Sequence, residues 1–311
     1  MREDFRRAHP VIQLIILILL GFGAMFVLAV IAFIPFYLNG FDLETLSSAK
    51  NLGPENTVEI LMFKVMQMAQ AIGLFIAPYV AYRYLVHDDT YSPFRLKHVG
   101  SVAALVFAAA MFTAFPLINF LAGWNASLAF PIDSVNEWIQ HTEKDAEGLI
   151  RLFLETDSIL GLCFNLFIIA LIPAVGEEML FRGTFQPFML KTFKRNYHLA
   201  IWVTAFWFSF LHLQFLGFFP RLLLGAVLGY AAHWSGSLVL PMIGHFMNNA
   251  LAVLVAYFIG LDALDSDVET LGADQGQWSL AIMSTILLSM GMWLIYRRSS
   301  FNKAANTPIE T

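Results

Sequence analysis

Apolar residues in this chain fall into long runs, not into the short rhythms of soluble helices and strands. A membrane span needs about 20 consecutive, mostly apolar residues. Eight stretches meet that need: roughly 11–38, 57–85, 100–123, 158–190, 198–216, 218–234, 237–260 and 278–296. The membrane part of the fourth is expected to end near residue 182, and Pro173 is expected to kink it. The last four stretches follow one another through short links and should pack as near-antiparallel neighbours. Tyr37, Trp124, Trp278 and Tyr296 stand at span ends, as interfacial anchors do. The predicted fold class is therefore all-α, a polytopic membrane bundle of about eight transmembrane helices. The first run is too long for a cleavable signal and lacks a small-residue cleavage site, so it reads as a retained span. Between the third and fourth spans, Val135, Trp138, Ile139, Leu149, Leu152 and Phe153 pattern residues 125–157 as an amphipathic helix lying on the membrane surface and capping the bundle. The chain divides into a tail at 1–10, accessory spans at 11–157, a core at 158–260, and a last loop, span and tail at 261–311.

Composition supports this reading. Of 311 residues, 58% are hydrophobic and 13% charged, against about 25% charged in soluble domains. Charges are sorted by loop. Arg2, Arg6, Arg7, Arg83, Arg95, Lys97, Lys191, Lys194, Arg195, Arg297, Arg298 and Lys303 lie on one side, 12 of the 18 cations. The opposite loop 261–277 holds Asp262, Asp265, Asp267, Glu269 and Asp274 without a single cation. The positive-inside rule then puts both termini in the cytoplasm, as an even span count also requires. In a bacterium the host membrane would be the plasma membrane. Lys50, Lys144 and Arg151 fall in outer loops, and Lys64 and Arg221 lie near enough to span ends to snorkel outward. Only Arg182 lacks a route to water, so it requires a partner inside the protein. Cys163 is the sole cysteine, which rules out an intrachain disulfide, and its apolar setting predicts a small buried thiol. Asn125-Ala-Ser127 matches a glycosylation sequon, a triplet common by chance. His233 reads as interfacial, and Gly225 with Gly229 reads as a close-packing motif. The tail Thr307 to Thr311 is expected to be disordered.

The chemistry lies in ionisable groups set deep in these apolar runs. Charges at membrane depth cost about 2.5–3.5 kcal/mol each on insertion scales, so they mark function by default. One run carries Glu177, Glu178 and Arg182, the next Phe208 and His212, and a third His245 and Asn249. Glu178 and Arg182 are four apart on a helix and so are neighbours, which lets Arg182 neutralise Glu178. Glu177 lies about 100° further round the helix. The pair thus separates into a structural carboxylate and a free one suited to general-base work. His245 and Asn249 share a helix face and offer hydrogen-bond donors of the kind an oxyanion needs. Glu177 and His212 each lie roughly 20 Å from the inner ends of their helices, whereas His245 lies only about 12 Å from its own. The three meet only if the turn Ser235-Gly236-Ser237 is recessed, which is allowed where backbone lines a cavity.

In these positions the chain resembles the CPBP family of CAAX-prenyl proteases and bacteriocin-processing or immunity membrane proteins, also called the Abi family. The shared pattern is a double Glu followed by Arg, then Phe-x-x-x-His, then His-x-x-x-Asn, here Glu177, Glu178, Arg182, Phe208, His212, His245 and Asn249. The resemblance covers about residues 158–260. It implies an intramembrane endopeptidase whose cavity opens to cytoplasm and bilayer. Glu177 would activate water with help from His212, and His245 with Asn249 would stabilise the oxyanion. Expected partners are the bilayer and a membrane-associated peptide or protein, CAAX-type or bacteriocin-like; no nucleic acid is expected. No cofactor is certain. Glu177, His212 and His245 are the candidate ligands for a divalent metal such as zinc, although no His-Glu-x-x-His helix is present. Two other readings stand beside this one. A proton-coupled transporter would use the same buried charges, but inverted repeats and paired broken helices are not visible. A non-proteolytic immunity or scaffold protein would not need the motifs intact.

Overall fold

The computed structural model describes residues 2–42, 55–86, 96, 98–128, 130–194, 196–261, 271–273 and 276–298. Lys50, Arg95, Lys97, Arg195, Lys303, the acidic residues Asp262, Asp265, Asp267, Glu269 and Asp274, and Thr307 to Thr311 lie outside the described residues. All regular structure among the described residues is helical. A short α1 (Arg2–Arg7) precedes α2 (Pro10–Leu38). Then come α3 (Thr57–Leu85), α4 (Ser101–Ala126), the amphipathic α5 (Asp133–Leu154) and α6 (Ile159–Thr192). The last four are α7 (Tyr197–Phe210), α8 (Phe218–Ser235), α9 (Val239–Phe258) and α10 (Trp278–Arg298). Phe5 of α1 is buried beside Leu17, Tyr82 and Phe188.

Among the described residues, seven helices are long and apolar enough to cross a bilayer, where about eight were expected. The exception is α7, whose 14 residues span about 21 Å of a roughly 30 Å hydrocarbon layer. The apolar run was expected to stay helical to residue 216, but the helix stops at Phe210 and the chain turns through Leu211 to Gly217. Leu213 takes a left-handed conformation, φ 54°, which a residue with a Cβ adopts only under constraint. Hydropathy reports burial in an apolar medium and is blind to a turn that is itself buried.

Helix α6 is central. It packs against α2 and α3 on one side and against α7 and α9 on another. Its α-geometry is interrupted twice by π-helical turns, Leu166–Leu171 and Phe181–Phe185. The first precedes Pro173, which has no N–H to return to the carbonyl of Ile169 four residues back. Helix α7 pairs closely with α8, as their short link predicts. The last helix departs from that expectation, since α10 packs chiefly along α4 and also touches α8. Its Leu288 and Ile295 join Phe107 and Met111 of α4, Leu228 of α8 and Leu240 of α9 in the largest apolar core.

The glycine motif of α8 explains the closeness of that pairing. A Cβ at Gly225 would stand 3.1 Å from the backbone of Ala205, and one at Gly229 would stand 2.8 Å from Ile201 Cγ2. With no side chains in the way, the carbonyls of these glycines are open to α6. Arg182 donates to Gly225 O at 2.7 Å, and Gln186 donates to Gly229 O at 3.2 Å. Two donors four apart on α6 therefore meet two acceptors four apart on α8.

Three further expectations change. Lys64 does not snorkel to water: it is 8% exposed and donates to Asn165 Oδ1 at 2.9 Å. Cys163 is exposed on the outer face of α6, where a thiol meets an apolar surround as readily as in the core. Asn125 cannot present a glycan, because its amide is 5% exposed, donates to Phe215 O and accepts from Phe219 N.

Candidate active site

Glu177 and Glu178 lie on α6 between its two π turns. Such turns add a residue to the helical circuit and re-aim the side chains around them, often at functional positions. Glu178 and Arg182 are both fully buried, and Arg182 Nη1 donates to Glu178 Oε1 at 2.6 Å. The Arg182 guanidinium also lies 4.7 Å from the centre of the Phe208 ring. Buried charge is thus met by a carboxylate, a carbonyl and an aromatic face.

Glu178 Oε1 has a second partner. His245, 3% exposed near the start of α9, brings Nδ1 to 2.9 Å from it. A carboxylate ionised against Arg182 accepts only, so Nδ1–H donates. His245 Nε2 then points the other way, to 3.9 Å from Glu177 Oε2. The two adjacent glutamates therefore reach opposite nitrogens of one imidazole.

His212 comes from the turn after α7. Its Nδ1 lies 2.6 Å from Phe208 O, and since a carbonyl only accepts, Nδ1–H donates there too. This bond satisfies one of the carbonyls that a helix end leaves open. It also turns Nε2 toward Glu177 Oε2, at 3.8 Å. Phe208 sits between the groups, its ring 5.0 Å from that of His212 and 5.8 Å from that of His245. Glu177 Oε2 is buried with no hydrogen-bond partner among the described residues. One orphaned carboxylate oxygen and two imidazole Nε2 atoms thus converge on a single small volume.

The depth mismatch of His245 is resolved in the turn between α8 and α9. Gly236 there is left-handed, φ 62°, which ends α8 without a Cβ penalty. Ser237 is 1% exposed and Leu238 fully buried, in a cluster with Tyr79, Ala232 and Met242 that Val175, Met179 and Leu190 pack against. Asn249 lies one turn beyond His245. Its Nδ2 donates to Ile169 O, the carbonyl Pro173 leaves open, at 3.4 Å, and its Oδ1 accepts from Asn248. The structure thus brings Glu177, Glu178, Arg182, His212 and His245 together, and holds Asn249 on the neighbouring π turn.

Several residues of this region carried no signal in the sequence. Arg221 was expected to reach outward, but it donates to Gln214 through both Nη atoms at 2.7 Å and clamps the turn bearing His212. Glu143 of α5 accepts from Leu216 N at 2.9 Å and Ser209 donates to Phe218 O at 2.6 Å in the same turn. A cavity of about 220 Å³ reaches Glu177 from the side of α2 and α3, lined by Met25, Gln67, Gln70, Phe75 and Pro173. Gln67 and Gln70 are exposed there and make no hydrogen bond within the described residues.

Two ligands of one tetrahedral zinc stand about 3.3 Å apart, given bonds of 2.0–2.1 Å. The spacings of 3.8 and 3.9 Å exceed this. No group of three His, Cys, Asp or Glu among the described residues is arranged to hold an ion. As they stand, these spacings are wider than a tetrahedral zinc needs.

Comparison with known proteins bears on the same region. Residues 159–251 match the family of type II CAAX prenyl endopeptidase Rce1-like proteins. A curated relative, "Uncharacterized protein YpbD" of Bacillus subtilis (strain 168), is 27% identical over 143 residues, covering 44% of this chain and 68% of the relative. No solved structure matches the chain. The match runs from the start of α6 into α9 and takes in every motif residue described above, within a chain whose seven long apolar helices mark it as an integral multi-pass membrane protein. Over residues 159–251, less than half of the chain, the protein is similar to the Rce1-like family of type II CAAX prenyl endopeptidases.

Proposed function

We propose that this protein is an intramembrane endopeptidase in which Glu177 activates water for attack on a peptide bond. The single observation that supports this most is the unpartnered Glu177 Oε2 facing two imidazole Nε2 atoms in a buried volume. A water placed there donates one O–H to Glu177 and the other to His212 Nε2. As its oxygen bonds to the scissile carbonyl carbon, its proton passes to Glu177. His245, as imidazolium, presents Nε2–H to the forming oxyanion, and Glu178 balances its charge through Nδ1. Asn249 joins as second oxyanion donor on releasing its 3.4 Å bond to Ile169 O. The C–N bond then breaks, and Glu177 returns its proton to the leaving amine. The ionised Glu177, Glu178, Arg182 and His245 sum to zero charge, which a low-dielectric site requires.

In this reading the substrate is a membrane-associated peptide or protein, CAAX-type or bacteriocin-like, entering along the cavity of Gln67 and Gln70. Residues 158–260 act as the catalytic core and the earlier spans as accessory elements. The test is Glu177→Gln in the reconstituted full chain, assayed on prenylated C-terminal peptides and on membrane proteomes scanned for shifted termini. Cleavage should vanish with helical content unchanged. Retained cleavage would falsify the assigned role. Metal content and activity after chelation are measured on the same sample: full activity without bound metal supports the water-and-carboxylate route, and loss on chelation restored by zinc overturns it.

A further inference from the structure

A second cavity, also of about 220 Å³, lies where α3, the end of α5 and the start of α6 meet. Lys64, Glu155, Thr57, Leu61 and Phe164 are among its lining residues. Lys64 is 8% exposed, and its single hydrogen bond goes to the neutral Asn165, itself 1% exposed and fixed to Leu154 O at 3.1 Å. Two of the three N–H bonds of the ammonium are therefore left without an acceptor among the described residues. Rings of Phe153 and Phe164 lie 5.8 and 6.0 Å from Nζ. These neutral partners orient the charge but do not cancel it. Glu155 lines the same cavity from an exposed position, yet no ion pair joins it to Lys64. A cation at the base and an anion at the rim thus face one small space without touching.

The depth suits a headgroup. The 29 residues of α3 extend about 43 Å, close to the 40–45 Å of a bilayer with its polar regions. Lys64 lies seven residues from the end of α3 at Thr57, or about 10 Å, while the hydrocarbon layer begins about 6 Å in. Its ammonium therefore stands just inside the apolar boundary, within reach of a lipid phosphate. Leu61, nearer the end of α3 than Lys64, is 43% exposed, and Leu160, near the start of α6, is 81% exposed, so apolar side chains are exposed at these helix ends.

We propose that this cavity is a binding site for a zwitterionic phospholipid headgroup bearing a primary ammonium, of the phosphatidylethanolamine type. The phosphate accepts from Lys64 Nζ and the ammonium donates to Glu155, so both unmet charges are paired. This site is separate from Glu177 and stands whether or not the chain cleaves peptides.

The experiment reconstitutes the full chain in vesicles of equal parts phosphatidylethanolamine, phosphatidylcholine and phosphatidylglycerol with identical acyl chains. Lipid retained after gentle extraction is then read by native mass spectrometry. Wild type should retain phosphatidylethanolamine about tenfold over either competitor, the factor contributed by one charge-assisted hydrogen bond. Lys64→Met should lose the retained lipid. Glu155→Gln, a change at an exposed position, should keep a bound phospholipid but without preference among the three. Retention in proportion to the mixture, preference for phosphatidylglycerol, or a preference that survives Glu155→Gln each overturns the proposal. If Lys64→Met fails to fold, the wild-type and Glu155→Gln measurements decide it.

Discussion

Replacing Arg182 by Met removes one partner of a fully buried ion pair and leaves Glu178 charged with no guanidinium beside it. Breaking such a pair costs about 3–5 kcal/mol, two to nearly four decades in the unfolding equilibrium. The bond to Gly225 O and the packing on Phe208 are lost as well, but the carbonyl keeps its place in the helix ladder, so these terms are smaller. Glu178→Met strands the opposite charge and should cost a similar amount. The double variant, Glu178→Met with Arg182→Met, buries no uncompensated charge, and its methionines fill the space. It should therefore be destabilised by only about 1–3 kcal/mol, chiefly from the freed His245 Nδ1–H, and so be more stable than either single change. Reversible unfolding in mixed micelles, followed by helical circular dichroism, measures all four proteins as one cycle. Stability should return in the double variant while cleavage does not, because Glu178 orients His245. An Arg182→Met protein within about 1 kcal/mol of wild type, or a double variant no better than the singles, would refute the reasoning.

Three other outcomes follow from the geometry. Gly229→Ala places a Cβ 2.8 Å from Ile201 Cγ2, so it should destabilise by about 1–3 kcal/mol in the same unfolding assay; an unchanged midpoint would mean that α7 and α8 are not so closely apposed. Gln67→Leu and Gln70→Leu remove the two amides that face the Glu177 cavity without internal partners, and should raise KM severalfold with kcat nearly constant, whereas a fall in kcat would place them in the chemistry. Asn125→Ala leaves Phe215 O and Phe219 N without their partner and should cost about 1–3 kcal/mol and reduce cleavage, while Ser127→Ala, which destroys the same sequon, should alter neither.

What the sequence showed and what it hid divide along a physical line. Spans were legible because about 20 apolar residues have few other uses, and their bounds agree closely for Pro10–Leu38 and Trp278–Arg298. The pairing of Glu178 with Arg182 was legible because helical spacing sets it locally. Lys64 was not, since its partner Asn165 lies 101 residues away and a long side chain near a span end suits snorkelling equally well. The end of α7 was hidden for a related reason. Contacts from the distant Asn125 and Glu143, with those of the flanking Ser209 and Arg221, hold an apolar turn that hydropathy reads as more helix. The outward face of Cys163 could not be read either, because a helix that is apolar all round carries no signal for which side meets lipid.

That turn bears on why the site holds together. A histidine inside a regular helix would spend its orientation on whatever face the helix presents. His212 instead follows the last turn of α7, where the open carbonyl of Phe208 takes its Nδ1–H and so fixes the direction of Nε2. His245 is fixed by an equivalent device of different chemistry, with Glu178 in place of the carbonyl. In both cases one ring nitrogen is bound by structure and the other left facing Glu177. The adjacent glutamates are then not redundant. Glu178 accepts from Arg182 Nη1 and from His245 Nδ1 at the same oxygen, so it ties the imidazole to the guanidinium. Glu177, one residue away and on a different face, has no such partner. Its Oε2, like Glu178 Oε2, is buried with no hydrogen-bond partner among the described residues, and it is the one that both imidazoles face. A buried carboxylate oxygen left open costs free energy unless something outside the fold fills it, and that deficit is what a water on its way into a peptide bond would meet.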